Sequence, residues 1–237
     1  ITAGANQKPN ETRLDLVQKN AKIMTDVVTQ IKEQEYKGIL LIVSNPVDIM
    51  TQVAMEVSGF PEHRVFGSGT VLDSARLRYH LGQHLGVDSR SVHAFVIGEH
   101  GDSEIAAWSS ANVSGVPLNS FCEMRGHFNH EGNTESIEEQ VKNSAYEIIA
   151  KKDATYYGIA MVVKRICQAI VRDEKSIFPI SLRMHGEYAL EDVVLSMPAI
   201  VGARGIETTI PISLDEKEVS RLHESAEMLR ETRKEIR

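Results

Sequence analysis

The sequence predicts an α/β fold, in which part of a doubly wound parallel sheet is followed by an α+β region. One observation is the apolar run Ile-Leu-Leu-Ile-Val at residues 39–43, which ends at Ser44-Asn45-Pro46 and is typical of a strand buried on both faces. A second is that helical patterns flank this run and a further short strand follows, an order that favours parallel pairing. The pattern changes after Gly69. We therefore expect two domains, at residues 1–69 and 70–237.

The first region is expected to contain two strands and two helices besides the strand end at residues 1–5. A helix should precede the buried run, because five apolar residues recur there at helical spacing. A second helix is expected over about residues 46–58, followed by a strand at Val65-Phe66 that ends at Gly67-Ser68-Gly69. The apolar positions of the first helix are Val17, Ala21, Met24, Val28 and Ile31.

The second region is expected to mix helices and short strands. Helices are predicted over about residues 73–85, 136–151 and 155–173, and a polar loop over 125–134. Strands are predicted at residues 92–97, 178–184, 193–197 and 207–211. Ser213-x-x-Glu216 has the spacing of a capping box and should open a last amphipathic helix.

Composition excludes several classes of function. The chain has 237 residues, of which 42% are hydrophobic, and a net charge of -7, so it lacks the basic field that nucleic acid or anionic membrane would require. No apolar segment reaches membrane-spanning length and no leader pattern begins the chain, so we expect a cytoplasmic protein. Cys122 and Cys167 show no CxxC spacing, and the apolar helical pattern around Cys167 predicts a buried thiol.

The string Gly98-Glu99-His100-Gly101-Asp102-Ser103, preceded by Asp73-Ser74-Ala75-Arg76, is the strongest candidate for chemistry. A histidine with a carboxylate partner can donate a proton, and an arginine can bind an anion through a two-point fork. Asp73 and Arg76 lie three residues apart, on nearly one helix face, although they could also form a plain surface ion pair. His80 and His84 have metal-ligand spacing but no third ligand, so we expect no metal.

Together with these strings, three others resemble the L-lactate dehydrogenase and malate dehydrogenase family along the whole chain. The further strings are Thr2-Ala3-Gly4-Ala5-Asn6-Gln7-Lys8-Pro9 with Glu11-Thr12-Arg13-Leu14, Ser44-Asn45-Pro46-Val47-Asp48, and Gly67-Ser68-Gly69-Thr70-Val71-Leu72 running into Asp73. On this resemblance, residues 1–69 are the C-terminal half of a dinucleotide-binding domain and residues 70–237 are the substrate domain.

The resemblance implies reversible hydride transfer between NADH and pyruvate, which forms L-lactate. His100 would donate the proton, Asp73 would orient the imidazole, and Arg76 would bind the substrate carboxylate. Arg13 would close over the site and polarise the reacting carbonyl, and Gln7 would favour pyruvate over a dicarboxylate.

The resemblance also assigns contacts to the cofactor and to a regulator. Asn45 would contact substrate and cofactor, Thr155 the substrate, and Ser68 and Ile159 the nicotinamide end of NAD. Ser68, Thr155 and Ile159 each also have a packing role that would explain their presence, and Asn45 could simply end its strand. Arg78 and His93 occupy the positions at which allosteric bacterial members bind fructose 1,6-bisphosphate across a subunit interface, so a dimer or tetramer is expected.

The sequence contains no Gly-x-Gly-x-x-Gly fingerprint. By resemblance, the chain begins after the half of the dinucleotide domain that would hold the cofactor pyrophosphate, so we expect little or no turnover and an exposed apolar sheet edge. Three hypotheses stay open: an L-lactate dehydrogenase, a non-catalytic module that only assembles, and a malate dehydrogenase, which Gln7 disfavours.

Overall fold

The computed structural model describes residues 1–5, 13–152 and 155–236. Helices and strands follow one another as an α/β protein requires, with short 3-10 turns between them. The helices in the described ranges are α1 (Arg13–Glu33), α2 (Val47–Ser58), α3 (Val71–Leu85), α4 (Leu118–Met124), α5 (His130–Lys152), α6 (Tyr157–Val171) and α7 (Glu216–Lys234). The strands there are β1 (Leu40–Ile42), β2 (Val65–Gly67), β3 (Val92–His93), β4 (Val96–Ile97), β5 (Ile105–Ala106), β6 (Asn112–Val113), β7 (Val116–Pro117), β8 (Ser176–His185), β9 (Glu191–Gly202) and β10 (Gly205–Thr209).

A mixed sheet of five strands, in the order β1-β2-β8-β9-β10, runs through the molecule. Strands β1 and β2 pair in parallel, with Leu40 opposite Val65, and this pair is the parallel part of the sheet in the described residues. Strand β2 then meets β8 antiparallel at Gly67 and Ser181, and β8 and β9 form a long antiparallel ladder. The α/β class expected from the sequence is confirmed.

The main hydrophobic core lies on both faces of this sheet. Helix α1 contributes Val17, Met24 and Val28, none more than 1% exposed, as their helical spacing predicts. A smaller second core packs α3 against α5 and the short strands, and includes Leu77 and Val141. The main core draws residues from both sides of the boundary expected near residue 70, and the division into two domains stays a prediction.

Four local predictions differ from the structure. The expected strand over 92–97 is two short strands, β3 and β4, and helix α5 begins within the expected polar loop. The last helix begins two residues later than predicted, because its N-cap is Asp215 rather than Ser213. The Asp215 side chain accepts from the backbone N–H of Glu218, and the Glu218 side chain accepts from the N–H of Asp215. Cys167 is exposed rather than buried, since it lies on the face of α6 that borders an open groove.

Gly69 permits the close approach of the β2–α3 turn to β8. Its φ is +52°, and a Cβ there would lie 2.7 Å from the carbonyl oxygen of Pro179 and 2.7 Å from the nitrogen of Ser181. The next N–H, from Thr70, donates to that same carbonyl of Pro179 at 3.1 Å. Helix α3 therefore starts at a defined distance from the sheet.

A groove of about 630 Å³ borders β1, between α1 and α6. Strand β1 is the edge of the five-stranded sheet, although its neighbour Val43 donates to the carbonyl of Ile1 at 2.9 Å. Apolar side chains such as Val27 and Leu40 dominate the lining. None of the helices in the described residues combines the length and the apolar character needed to span a membrane.

Candidate active site

The loop that follows β4 carries His100, and three neighbouring parts of the fold hold three successive backbone N–H groups of this loop. Gly98 donates to Ser196 of β9 at 2.9 Å, and Glu99 donates to the hydroxyl of Ser225 on α7 at 2.8 Å. His100 donates to Oδ2 of Asp48 on α2 at 2.7 Å. The backbone of this loop is therefore held in place before any substrate binds.

The imidazole of His100 contacts the carboxylate expected from the sequence. Its Nδ1 lies 2.8 Å from Oδ2 of Asp73, and the other carboxylate oxygen of Asp73 accepts from a terminal nitrogen of Arg76 at 2.9 Å. Asp73 is buried, with 4% of its side chain exposed, whereas 28% of the His100 side chain is exposed. The histidine can therefore reach a bound molecule while its partner stays shielded from water.

These contacts change the protonation of both groups. Burial alone lowers the pKa of His100, but the charge and hydrogen bond of Asp73 outweigh it and raise that pKa to about 9. Burial would raise the pKa of Asp73, yet His100 and Arg76 hold it below its usual range. At neutral pH the pair is an imidazolium and a carboxylate, which suits a proton donor.

Asp48 of α2 contacts the backbone of the histidine loop. It is 1% exposed and accepts from the hydroxyl of Ser181 at 2.6 Å as well as from His100. Burial raises the pKa of Asp48 to about 6, against the lowering effect of these two hydrogen bonds. Asp48 thus joins α2, β8 and the histidine loop.

Glu104 completes a cluster with Asp73 and His100. One carboxylate oxygen of Asp73, one of Glu104 and one ring nitrogen of His100 lie within 4.8 Å of one another. Spacing of this kind also occurs in metal sites, yet Asp73 already pairs with Arg76 and His100, so we interpret the group as an acid–base cluster. Burial, followed by the charge of Asp73, raises the pKa of Glu104 to about 8.

Asn45 and Ser68 follow the two parallel strands at their carboxyl ends, the edge at which α/β sheets place ligands. Asn45 is exposed and joined to Pro46 by a cis peptide bond. Ser68 is 3% exposed, and its N–H donates to the carbonyl of Ile42 at 2.8 Å. Both residues therefore lie at the carboxyl edge of the parallel strand pair.

Of the four other residues predicted to bind substrate or cofactor, two have side chains within the described part of the chain. Thr155 is half-buried just before α6, and Ile159, in the first turn of that helix, is half-buried against the main core. Gln7 lies outside the described residues. Arg13 is the first residue of α1, and its side chain also lies outside the described part.

The two residues expected to bind a regulator lie on neighbouring elements. Arg78 is half-buried on α3, and burial lowers its pKa. His93 is exposed on β3, which packs against α3. Helix α3 thus carries Arg76, which pairs with Asp73, and also Arg78.

His80 and His84, the histidines at metal-ligand spacing, line a separate polar cavity of about 250 Å³ between α3 and α5. The ring of His84 lies against that of His127, with 4.2 Å between centroids. Neither histidine belongs to the cluster around His100.

Sequence reasoning missed Asp48, Ser181, Glu104 and Ser225. Asp48 and Glu104 lie within or directly after the motifs quoted above, so their position was a signal, but nothing in the pattern indicated burial beside the histidine. Ser181 and Ser225 lie on a strand and a helix far along the chain, and no sequence signal connects them to the loop.

Comparison with known proteins adds independent evidence. Residues 1–67 match the family described as "lactate/malate dehydrogenase, NAD binding domain", and residues 70–237 match its "alpha/beta C-terminal domain". An L-lactate dehydrogenase of Acetivibrio thermocellus is 49% identical over 231 residues, covering 98% of this chain and 73% of the relative. One from Thermoanaerobacterium saccharolyticum is 47% identical over 236 residues, covering 100% of this chain and 76% of the relative.

Solved structures agree with these matches. The minor L-lactate dehydrogenase from Enterococcus mundtii in its ligands-bound form superposes with a TM-score of 0.95 at 43% identity, covering 100% of this chain and 75% of that one. A lactate dehydrogenase from a deep-sea metagenome library also reaches 0.95, at 45% identity, covering 99% of this chain and 74% of that one. The chain therefore belongs to the lactate/malate dehydrogenase family, among its NAD-dependent L-lactate dehydrogenases.

Proposed function

We propose that this chain catalyses the reversible transfer of hydride between NADH and pyruvate, with His100 as the proton donor and Asp73 and Arg76 as its charged partners. The observation that carries the assignment is the 2.8 Å contact of Nδ1 of His100 with Asp73. It leaves Nε2 as the ring atom that exchanges a proton with the substrate.

Bound NADH supplies the hydride to the carbonyl carbon. His100 gives its Nε2 proton to the carbonyl oxygen, and the carboxylate of Asp73 stabilises the imidazolium until then. The His100 pKa of about 9 keeps the proton on the imidazole at neutral pH, as pyruvate reduction requires. In lactate oxidation the neutral imidazole accepts the hydroxyl proton.

Arg76 is proposed to bind the substrate carboxylate. One terminal nitrogen contacts Asp73 and its side chain is 15% exposed, so the guanidinium is aligned beside the imidazole and still accessible. A planar guanidinium can bind a carboxylate through two parallel hydrogen bonds, which fixes the orientation of the keto acid. Arg13 is proposed to close over the site and polarise the carbonyl.

Five further residues are proposed to select and position the reactants. Gln7 offers no charge for a second carboxylate, and an unpaired buried charge would disfavour oxaloacetate by several kcal/mol, which favours pyruvate. Asn45 is proposed to contact both reactants, and Thr155 the substrate. Ser68 and Ile159 are proposed to contact the nicotinamide end.

The test follows NADH consumption with pyruvate as substrate. His100→Asn should lower kcat/KM by about 10²–10⁴-fold, since general acid catalysis is lost. Arg76→Lys should raise the KM for pyruvate by about tenfold or more, because the two-point contact is lost. The exposed His63 provides the control, and His63→Asn should leave both constants unchanged.

Two results would contradict the proposal. A wild-type chain that binds oxamate, a pyruvate analogue, but reduces no pyruvate would favour the hypothesis of a non-catalytic module. A preference for oxaloacetate over pyruvate would favour malate dehydrogenase.

We also propose that the protein is a cytoplasmic homo-oligomer, a dimer or tetramer, that binds fructose 1,6-bisphosphate through Arg78 and His93. The half-buried guanidinium of Arg78 and the exposed imidazole of His93 offer basic groups on neighbouring elements. A bisphosphate would relieve their repulsion across a subunit interface. If it changes neither sedimentation nor pyruvate affinity, this part is wrong.

A further inference from the structure

Glu104 is a buried carboxyl group that the reaction described above does not use. It directly precedes β5, is 5% exposed, and its N–H donates to the carbonyl of Gly101 at 3.2 Å. Its carboxyl lies within 4.8 Å of both the Asp73 carboxylate and the His100 ring. A charge on Glu104 would therefore act directly on the proton-donating pair.

The cations around Glu104 only partly compensate such a charge. The charges of His100, Lys142 and Arg76 favour its ionised form, in that order, but burial and the neighbouring Asp73 disfavour it more strongly, so the pKa of Glu104 is raised to about 8. Arg221 of α7 donates to the backbone carbonyl of Glu104 at 3.4 Å while its guanidinium pairs with Glu138. Glu104 is thus mostly neutral at pH 7 and becomes negative as the pH rises.

His100 is faced by carboxyl groups from several elements. Asp73 of α3 contacts its ring and Asp48 of α2 accepts from its backbone N–H. Glu104 lies on its own loop, and the charges of all three raise the pKa of His100. Glu99, also on this loop, is 4% exposed and accepts from the hydroxyl of Ser103 at 2.5 Å.

We propose that Glu104 is a positioning residue for the proton of His100: its buried carboxylate, beside the imidazole, retains the proton on the ring and extends pyruvate reduction to higher pH. This inference rests on the proposed role of His100. Two charges of opposite sign at this separation in a buried site attract one another by several kT, enough to move a titration by about one pH unit.

The kinetic test compares Glu104→Gln with the wild type across pH 6 to 10. The alkaline limb of kcat/KM for pyruvate should move down by about one pH unit, and rates below pH 7 should stay unchanged, because Glu104 is neutral there. A merely structural role would lower the rate at every pH. Glu139→Gln, the same change at an exposed position on α5, is the matched control and should leave the profile in place.

A second measurement keeps the inference testable without turnover. The ring of His100 is titrated by ¹⁵N NMR in the wild type, Glu104→Gln and Glu104→Asp, with His100→Asn to assign the signal. We expect a lower midpoint in Glu104→Gln and recovery toward the wild type in Glu104→Asp, which keeps the charge. An unchanged or raised midpoint in Glu104→Gln overturns the inference.

The two measurements separate this inference from the proposed function. If the wild type reduces no pyruvate, the proposed function fails, and the NMR midpoints still decide whether Glu104 acts on His100. If the wild type reduces pyruvate but the alkaline limb does not move in Glu104→Gln, the inference fails alone.

Discussion

His100 is held by two buried carboxyl groups that do different work. Asp73 contacts the ring, and its pKa stays below its usual range because His100 and Arg76 stabilise the carboxylate. Asp48 contacts the backbone N–H, and its other oxygen accepts from the hydroxyl of Ser181. Its raised pKa of about 6 follows from burial, so its ionised form is maintained at neutral pH against a desolvation penalty.

Substitution of Asp48 tests this division. Asp48→Asn keeps an oxygen for the N–H of His100 and offers an amide to Ser181, so the free energy of unfolding at pH 7 should be unchanged or higher than in the wild type. Asp48→Ala leaves both donors unpaired and should lower it by about 2–4 kcal/mol. Urea denaturation measures both values. Equal losses in the two variants would contradict the hydrogen-bonding role.

Helix α3 and the turn before it set the position of two catalytic candidates. Asp73 and Arg76 lie in the first turns of α3, and the preceding Gly69 places that helix against β8 without room for a Cβ. The site geometry therefore depends on a backbone contact between β2 and the strand pair that follows much later in the chain.

Gly69→Ala and Gly115→Ala form a matched pair that tests this contact. Both glycines have positive φ, +52° and +83°, but a Cβ at Gly115 would meet nothing within 4 Å. Gly115→Ala should cost about 1 kcal/mol of stability from backbone strain alone, whereas Gly69→Ala should cost about 3 kcal/mol or more and also lower kcat/KM. Thermal unfolding and the pyruvate assay measure the two effects. Similar losses at both positions would show that the contact with β8 is unimportant.

Across the whole molecule, the candidate active site lies where the main core and the sheet meet the smaller second core. This site combines residues from α2, α3 and the loop after β4. Residues of α7 and β9 hold that loop through hydrogen bonds. Because folding brings these titratable groups together, their protonation is linked to the stability of the entire fold.

This linkage predicts that stability falls as the pH rises from about 6.5 to about 9. The pKa of His100 is raised from 6.5 to about 9 and that of Glu104 from 4.5 to about 8, so the native state holds more protons than the unfolded state in this window. Stability is therefore lost as each group deprotonates. Urea denaturation at pH 6, 7, 8 and 9 should show the decline, and Asp73→Asn should flatten it because His100 loses the partner that raises its pKa. A stability that rises over this range would refute the assignment.

Much of the fold could be predicted from local sequence patterns. The spacing of Val17, Met24 and Val28 predicted the buried face of α1, and the apolar run at residues 39–43 predicted β1. The start of the last helix was misplaced by two residues, since Ser213 and Asp215 are both good capping residues and only the observed hydrogen bonds distinguish them. Cys167 was misjudged because an apolar helix pattern does not say which face remains uncovered.

The sequence by itself determined the α/β class, the family, and the chemical types of the proton donor, its carboxylate and the anion-binding arginine, because these depend on local periodicity and short motifs. Only the tertiary structure decided that Asp48 and Glu104 join His100 and that Ser181 and Ser225 support the site. Asp48 and His100 are 52 residues apart along the chain, and burial, which sets the protonation of such groups, exists only once distant segments have packed together.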